Sequence, residues 1–413
     1  MSATRRIGIA SLINELLFGG DEHRLLSFSK TIDANRFDHR VVCVKRANLD
    51  FDSRNGTMRQ HYLDAGIRLD DLGEGYPNQH SSRAMVPVNR SVMLARSVAR
   101  FCRYIRENQI DVIDAHLGSG SLIGAIAGGL MKVPVAITTY QVEQWKPLWL
   151  WQRVHPVVLR AARAVITDST ACAQAVASFM EQPLARVTVI PNGIETPVSG
   201  RSREEMRKLL GLPDDPRVRI IGQIATLLPT KGQDVLLDAA KTVLEQERDV
   251  FFLLVGYPRD PAYAERLKEK ALQLGIADRV RICGYPDGIG DVWKVIDIHT
   301  HPTALDSLPQ AIMEGMSLGL PAVVTPTGGI PTMVENEETG LIVPVKDPAA
   351  LAGALLRLLR EPETAARLGH AAQERYRARY TTAIMTRALE DLFAGLAVTS
   401  GYGVKPAVEQ SVK

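Results

Sequence analysis

The sequence predicts an α/β protein made of two doubly wound domains, each built on a parallel sheet. Its 413 residues are enough for about two or three domains. Short runs are apolar on consecutive positions, as in strands covered on both faces. Helical patterns separate these runs through most of the chain. We expect the two sheets to face a central cleft, with ligands at the carboxyl ends of the strands.

The first domain is predicted to cover residues 1–197. Its strand-like runs are RIGIASLI, DHRVVCVKR, DVIDAHL, PVAITTY, AVITDS and VTVIPNG. The N-terminal apolar stretch is interrupted by Asn14 and Glu15, so it predicts a first buried strand rather than a secretory signal. A basic amphipathic helix is predicted over Val92–Arg106.

The second domain is predicted to cover residues 198–379. A polar stretch containing Pro213 and Pro216 follows PNGIETP and marks the boundary, and a short helix at 203–210 opens the domain. The strand-like runs are VRIIGQIA, VFFLLVG, RVRICG, IDIHTHP, PAVVTP and GLIVPV. The pattern at 381–396 predicts a helix with one buried face, and the tail 399–413 is predicted to be disordered.

Composition narrows the class of protein. Lys and Arg total 49 and Asp and Glu total 46, so the net charge of +3 argues against a polybasic nucleic-acid binder. The four cysteines lack a CxxC spacing, which predicts buried thiols in a reducing cytosol rather than a zinc or redox site. No run approaches the roughly 20 apolar residues of a membrane span. We therefore expect a cytoplasmic protein.

The most informative segment is THPTALDSLPQAIMEGMSLGLP in the second domain. Ser307 is predicted to cap a helix over Leu308–Leu318, with Pro309 in its first turn and Gly319 as its stop. Asp306 precedes this helix directly. The free amides of such a helix end attract phosphate when they point into a crevice.

Other polar residues are predicted near the same crevice. Glu314 occupies a helix position that would otherwise be apolar, and its carboxylate needs partners such as ribose hydroxyls. Lys231 and Gly232 lie on one strand-to-helix loop, and Gly328 and Gly329 on another. A KG or GG pair alone usually marks only a turn. The three features in this order indicate a nucleotide site.

These residues resemble the motifs of retaining glycosyltransferases of family 4, which have the GT-B fold. DSLPQAIMEGM is similar to the family segment EGLPNALLEAM, with Asp306 and Glu314 at its two acids. The family's KG matches Lys231 with its following glycine, and its GG loop matches residues 328–329. The resemblance covers nearly the whole chain, and it implies that the final helix, 380–398, crosses back onto the first domain.

The resemblance implies a nucleotide-diphosphate sugar as the donor substrate and no other cofactor. Glu314 is expected to bind the ribose, and Lys231 the departing diphosphate. The carboxylate of Asp306 and the amides of Ser307 and Leu308 are expected to hold sugar hydroxyls. Because a lysine and helix-end amides can stabilise the leaving charge, and the second domain contains no acidic cluster of DxD type, the site is expected to be metal-independent.

The base is expected to contact the loop at 284–290, which contains Gly284 and Tyr285. In the first domain, LLFGGDEHR resembles the family's first glycine loop, with Gly19 and Gly20 at the matching positions. The alternative is a loop that simply needs glycine conformations. His116 in DAHLG matches another family segment, although a histidine at a strand end often has only a structural role.

Two positions depart from the family pattern. Tyr140 stands where the family usually has a histidine, and Thr226 where it usually has an arginine five residues before the KG lysine. Tyr140 can donate a hydrogen bond but cannot be cationic, and Thr226 cannot supply a second phosphate-binding charge. An altered donor, a displaced arginine and lost activity all remain open.

Three tryptophans cluster in QVEQWKPLWLWQRVHP. Trp145 and its neighbours can form an acceptor wall, contact a membrane that carries a lipid-linked acceptor, or simply pack on the core. The arginines of the 92–106 helix likewise fit either a solvated face or an anionic membrane surface at the inner face of the cytoplasmic membrane.

Two functions from different classes follow. The first is a glycosyltransferase acting on a glycan, lipid-linked or small-molecule acceptor. The second is a catalytically inactive relative that binds a nucleotide or glycan as a regulatory or partner subunit. A sugar-nucleotide epimerase of the same fold is disfavoured by the paired acids, Asp306 and Glu314.

Overall fold

The computed structural model describes residues 5–17, 19–45, 58–74, 86–116, 118–140, 149–198, 200–286 and 288–399. The chain divides into two compact units. The first comprises the residues up to Gly193 and those from Thr382 onward, and the second is Ile194–Thr381. The last fourteen residues, which include most of the predicted tail, lie outside the described ranges.

The first unit contains a parallel sheet in the order β3-β2-β1-β4-β5-β6-β7. Its strands are β1 Ile7–Ile13, β2 Phe37–Lys45, β3 Leu69–Glu74, β4 Val112–His116, β5 Val135–Thr138, β6 Ala164–Thr167 and β7 Val187–Val189. Its helices are α1 Gly20–Thr31, α2 Arg59–Asp64, α3 Val86–Glu107, α4 Gly118–Met131, α5 Trp149–Ala161, α6 Thr170–Met180 and, at the end of the chain, α15 Thr382–Thr399.

Helices cover both faces of this sheet. Alternate residues of β1 point to opposite sides, so Leu12 belongs to the core that includes α3, α4, α5 and α6, whereas Ile9 belongs to the core that includes α1 and α15. The ring of Phe393 on α15 lies edge-on to Phe28 on α1, 5.8 Å between centroids. The side chain of Glu390 accepts a hydrogen bond from the amide that follows α1, that of Asp33, at 2.7 Å. The final helix is therefore part of the first unit's core.

The second unit contains a parallel sheet in the order β10-β9-β8-β11-β12-β13. Its strands are β8 Arg219–Ile224, β9 Val250–Val255, β10 Val280–Cys283, β11 Ile298–His301, β12 Ala322–Val324 and β13 Leu341–Ile342. Its helices are α7 Arg203–Leu209, α8 Gln233–Gln246, α9 Pro261–Gln273, α10 Ile289–Val292, α11 Gln310–Ser317, α12 Ile330–Met333, α13 Pro348–Arg360 and α14 Pro362–Arg379.

The second sheet is also covered on both faces. Phe252 packs with α8, α9 and α13, and its neighbour Phe251 packs on the opposite side with α7 and the turn at Trp293–Val295. Helix α7 begins with a capping box between Ser202 and Glu205. The predicted class, two α/β domains with parallel sheets, is confirmed.

Three details differ from the sequence prediction. Helix α3 starts at Val86 rather than Val92, because a proline at its second position is tolerated in a first turn. Of the four cysteines, Cys102 and Cys283 are only half-buried. Residue 399 is helical rather than part of a tail. Among the described residues, no helix has the length and apolarity needed to cross a membrane.

Candidate active site

Three loops of the second unit meet at the carboxyl ends of its strands. They are the KG loop (229–232) after β8, the acid loop (302–309) after β11, and the glycine loop (325–329) after β12. The carbonyl of Thr230 accepts hydrogen bonds from the Ala304 amide, 2.8 Å, and the Thr303 hydroxyl, 2.9 Å. The hydroxyl of Thr325 donates to the carbonyl of Thr303 at 2.6 Å. These bonds tie the three loops together.

Two glycines permit this close approach. Gly232 has φ +71°, and a Cβ there would lie 2.1 Å from the carbonyl oxygen of Pro302. Gly328 has φ +53°, and a Cβ there would lie 2.0 Å from the carbonyl oxygen of Asp306. A larger residue is disfavoured at both positions, because the backbone has a positive φ and because a side chain would clash with a carbonyl oxygen. The glycines of the KG and GG motifs therefore have a structural role, because they allow the three loops to pack closely.

Asp306 lies at the centre of the junction. Its Oδ2 accepts from Lys231 Nζ at 2.5 Å and from His301 Nε2 at 3.0 Å. Its Oδ1 accepts from the Ser307 amide at 3.1 Å. The side chain of Asp306 is only 12% exposed and that of Lys231 20% exposed. The sequence motifs thus bring a lysine and an acid into direct contact.

The charge state of Asp306 follows from these partners. Burial alone raises the pKa of this carboxyl, but the hydrogen bond from His301 and the charge of Lys231 outweigh burial and lower the pKa to about 2. Asp306 is therefore ionised at neutral pH. Since an ionised carboxylate can only accept, the proton of the His301 contact lies on Nε2.

The start of α11 differs from the prediction. The helix begins at Gln310, Pro309 takes the N-cap position with ψ 124°, and Ser307 does not cap it. Leu308 precedes a proline, which disfavours helical backbone and delays the helix start. The Ser307 amide is occupied by Asp306, and the Ser307 carbonyl accepts from the Gly329 amide at 2.6 Å. The predicted cap was wrong.

Glu314 lies on α11 and meets Trp293. Trp293 is 2% exposed, and its Nε1 donates to Glu314 Oε2 at 2.8 Å. Burial raises the pKa of Glu314, and this single hydrogen bond only partly opposes the rise. Burial and the nearby charge of Glu314 raise the pKa of Tyr285. Tyr285 and Gly284 also line a cavity of about 460 Å³.

In the first unit, neither glycine of the first glycine loop needs a glycine conformation. Gly19 precedes α1 in extended backbone, with φ −156°, and Gly20 begins the helix. A Cβ on Gly19 would meet only the flexible carboxylate of Glu22, and one on Gly20 would meet nothing within 4 Å. The alternative that conformation requires these glycines is wrong. Burial and the nearby Asp21 raise the pKa of Glu22 to about 7.

His116, at the end of β4, lies between two buried carboxylates. Its Nδ1 is 3.1 Å from both oxygens of Asp21, and its Nε2 is 2.7 Å from Oδ2 of Asp114. Burial by itself lowers the pKa of His116, but Asp114 and Asp21 reverse this effect and raise the pKa to about 10. His116 is thus a doubly paired cation that holds β4 to α1.

The remaining predicted residues have simpler surroundings. Thr226 follows β8, and its carbonyl accepts from the Gln233 side chain at 3.0 Å. Tyr140 follows β5, and its hydroxyl oxygen is buried without a hydrogen-bond partner among the described residues. Trp145 lies outside the described ranges. Thr226 and Tyr140 belong to different units.

Sequence reasoning missed three residues beside these sites. His301 contacts Asp306, Trp293 contacts Glu314, and Arg24, which is 2% exposed, lies at the carboxyl edge of the first sheet. The sequence offers a weak signal for two of them, since a histidine ending an apolar strand and an arginine on a buried helix face are both unusual. Their contacts depend on how loops and helices leave the sheets, so no spacing rule identifies them.

Known protein families match both units. The model for glycosyl transferases group 1 matches residues 202–375, and the model for glycosyltransferase family 4 matches residues 18–198. The D-inositol 3-phosphate glycosyltransferase of Corynebacterium efficiens is 28% identical over 70% of this chain and 72% of its own length. That of Corynebacterium diphtheriae is 26% identical over 81% of this chain and 82% of its own.

Solved structures share the fold. A glycosyltransferase from Rickettsia africae superposes with a TM-score of 0.78 at 16% identity, covering 95% of this chain and 99% of that one. HepE of Anabaena, in complex with UDP, superposes with a TM-score of 0.77 at 21% identity, covering 94% and 100%. Two parallel-sheet units with these neighbours define the GT-B fold.

The matches also identify the family. The two models together cover both units of the chain, one for each. The chain belongs to glycosyltransferase family 4, in agreement with the resemblance of its DSLPQAIMEGM segment. Both family models describe glycosyltransferases, so they favour a glycosyltransferase over a sugar-nucleotide epimerase.

Proposed function

We propose that this glycosyltransferase moves a sugar from a nucleotide-diphosphate sugar to a hydroxyl of its acceptor, with retention of anomeric configuration and without a metal ion. The contact between Lys231 and Asp306 at the meeting point of three loops carries this proposal. The family resemblance implies retention, and the lysine provides the charge that a metal provides elsewhere.

Lys231 is proposed to stabilise the leaving diphosphate. Its ammonium is a compact charge beside the start of α8, whose N-terminus also favours anions. Its partner in the structure is Asp306, at 2.5 Å. A diphosphate that contacts Lys231 has to share it with Asp306, so binding and catalysis both depend on that pair.

Asp306 is proposed to hold hydroxyls of the transferred sugar. Its low pKa keeps it an acceptor through the reaction. As the bond to the leaving group breaks, the sugar gains positive charge, and a fixed carboxylate nearby stabilises that charge. His301 and the Ser307 amide fix the carboxylate in place.

Glu314 is proposed to bind the ribose. Within the described part of the chain, Trp293 is its one hydrogen-bond donor. Its carboxylate therefore retains capacity for two hydroxyl donors. Tyr285, whose pKa is raised by burial and by the charge of Glu314, and the adjacent Gly284 are proposed to contact the base.

The substrates to test first come from the named relatives. Solved structures of HepE contain UDP or UDP-glucose, and the similar sequences are named for D-inositol 3-phosphate. We propose a uridine diphosphate sugar as the donor and a phosphorylated polyol as the first acceptor candidate. The wider acceptor class, a glycan or a lipid-linked molecule, is the next to test.

The inactive relative is the second candidate. Thr226 and Tyr140 favour it, because neither supplies the cation that the family usually has at its position. A protein of this kind still binds the nucleotide through Glu314 but releases no product. Binding and turnover therefore have to be measured separately.

The experiment combines calorimetry and product analysis. We expect UDP to bind the wild type and to bind Glu314→Gln more weakly. We then expect release of UDP from UDP-glucose when D-inositol 3-phosphate is added, with NMR showing the anomeric configuration of the donor in the product. Nucleotide binding without turnover on any acceptor class supports the inactive relative, and an inverted product contradicts retention.

A further inference from the structure

Arg24 is a buried guanidinium with unmet hydrogen-bonding capacity. The residue lies on α1 and is 2% exposed. Its Nε and Nη2 are buried without a hydrogen-bond partner among the described residues. Leaving charged donors unpaired in a protein interior costs free energy. A protein that keeps such a group has a use for its free donors.

The two free nitrogens form one edge of the guanidinium. Nε–H and Nη2–H point in nearly parallel directions, and this fork matches two oxygens of one phosphate or carboxylate. A hydroxyl or a carbonyl occupies only one of the two. The geometry of the unmet donors therefore favours a bidentate anion over a neutral group.

Neighbouring carboxylates do not fill the fork. Asp21, Asp114 and Asp168 are close enough to act on the charge of Arg24. Asp21 and Asp114, however, both pair with His116, and no hydrogen bond joins any of the three to Arg24. They keep the guanidinium charged and leave its donors available.

Further donors lie at the same edge of the sheet. The hydroxyls of Tyr140 and Thr139, which follow β5, are buried without partners in the described part of the chain. Tyr140 is also among the groups that act on the charge of Arg24. Helix α1 and the segment that follows β5 thus bring together donors that have no acceptor among the described residues. A ligand rich in acceptor oxygens fits this arrangement.

We infer that Arg24 and Tyr140 bind an anionic group, a phosphate monoester, on the acceptor of the transferred sugar. The inference rests on the proposed function and specifies its acceptor. It also accounts for the departure at Tyr140, because Arg24 supplies from α1 a positive charge that tyrosine cannot provide. The anion can belong to a small phosphorylated polyol or to a lipid headgroup.

The test measures binding of D-inositol 3-phosphate by calorimetry, with myo-inositol as the uncharged counterpart. Titrations are made with and without saturating UDP, so that phosphate binding at Lys231 is recognised by its loss when UDP is present. We expect the ester to bind in both cases. Arg24→Gln should weaken binding at least tenfold, and Tyr140→Phe should weaken it several-fold. Arg103→Gln, an exposed arginine on α3, should have no effect.

Other variants keep the test decisive. If Arg24→Gln does not fold, Arg24→Lys, which keeps the charge but loses the fork, and Tyr140→Phe decide the question. Flotation with phosphatidylcholine vesicles, with and without phosphatidic acid, tests the same group on a lipid. If vesicle binding requires both phosphatidic acid and Arg24, and the soluble ester does not bind, the anion belongs to a lipid.

The inference is overturned if myo-inositol binds as tightly as its phosphate ester. Wild-type affinity in the Arg24 and Tyr140 variants also overturns it, as does the absence of binding to both the ester and the vesicles. Failure of the proposed function has a different signature. In that case UDP does not bind or no sugar is transferred, while the dependence of phosphate binding on Arg24 is unchanged.

Discussion

Replacing His116 with glutamine tests the buried charge cluster of the first unit. The imidazolium contacts Asp21 and Asp114 at 3.1 and 2.7 Å, and its side chain is 1% exposed. Glutamine keeps a hydrogen-bonding side chain but removes the positive charge, so two buried carboxylates lose their shared cation. Breaking a buried ion pair from one side costs about 3–5 kcal/mol of unfolding free energy. We expect a loss of that size near neutral pH.

The loss should depend on pH in a defined direction. The pKa of His116 is raised from its ordinary value of 6.5 to about 10 in the folded protein. A raised histidine pKa contributes stability that is fully present below about pH 6.5 and disappears as the pH rises through about 10. The wild type should therefore lose this contribution across that window. The glutamine variant cannot titrate, so its difference from the wild type should shrink.

Urea unfolding followed by tryptophan fluorescence measures this difference. Three of the four tryptophans, at positions 145, 149 and 151, lie within the sequence of the first unit, so most of the tryptophan signal comes from that part of the chain. His370→Gln is the matched control, because His370 lies on α14 with 69% of its side chain exposed. A variant as stable as the wild type at pH 6.5, or a difference that grows towards pH 10, refutes the charge assignment.

Three further predictions concern the second unit. Lys231→Ala should lower turnover by about 10²–10³ at saturating donor, because it removes a stabiliser of the leaving charge; steady-state kinetics measures this, and a wild-type rate contradicts it. Asp306→Asn should mainly lower kcat and Glu314→Gln mainly raise KM, since only the first contact strengthens in the transition state; the reverse pattern exchanges the two roles. Gly328→Ala should lose about 2 kcal/mol or more in urea unfolding, because alanine is strained at φ +53° and clashes with the acid loop. Gly353→Ala, in open space on α13, should instead gain about 0.5–1 kcal/mol; equal effects of the two alanines refute the packing argument.

The fold class and the loop positions could be predicted because their signals are local. Consecutive apolar residues identify a strand buried on both faces, as in VFFLLV, which is β9. A glycine between a strand and a helix marks a sharp turn, and Gly232 has the positive φ that such a turn requires. These properties depend on a few neighbouring residues, which the sequence displays directly.

Partners across the fold could not be predicted in this way. His301 and Asp306 are five residues apart, yet their contact depends on how the acid loop leaves β11. Trp293 and Glu314 are brought together by two separate elements. The predicted start of α11 failed for a local reason, because the effect of Pro309 on the residue before it outweighed the capping preference of Ser307.

His116 shows a second limit of the sequence. A histidine at a strand end has the same pattern whether it contacts a substrate or holds two elements together. Only the positions of Asp21 and Asp114 reveal that its ring is occupied on both sides. Conversely, the family pattern identifies Tyr140 as a departure but gives no signal for Arg24. In the structure, Nε and Nη2 of Arg24 have no hydrogen-bond partner among the described residues.

The two acids of the DSLPQAIMEGM segment illustrate how surroundings divide similar groups into different roles. Asp306 has three partners and a lowered pKa, so its charge is stabilised before any ligand arrives. Among the described residues, Glu314 has one hydrogen-bond donor, Trp293, and burial raises its pKa, so its charge is less well stabilised than that of Asp306. A hydrogen bond from a ligand hydroxyl therefore stabilises the carboxylate of Glu314 more than that of Asp306. Asp306 is better suited to hold Lys231 and to stabilise the positive charge that develops on the sugar in the transition state. Their environments, rather than their chemical type, support assigning one to donor binding and the other to turnover.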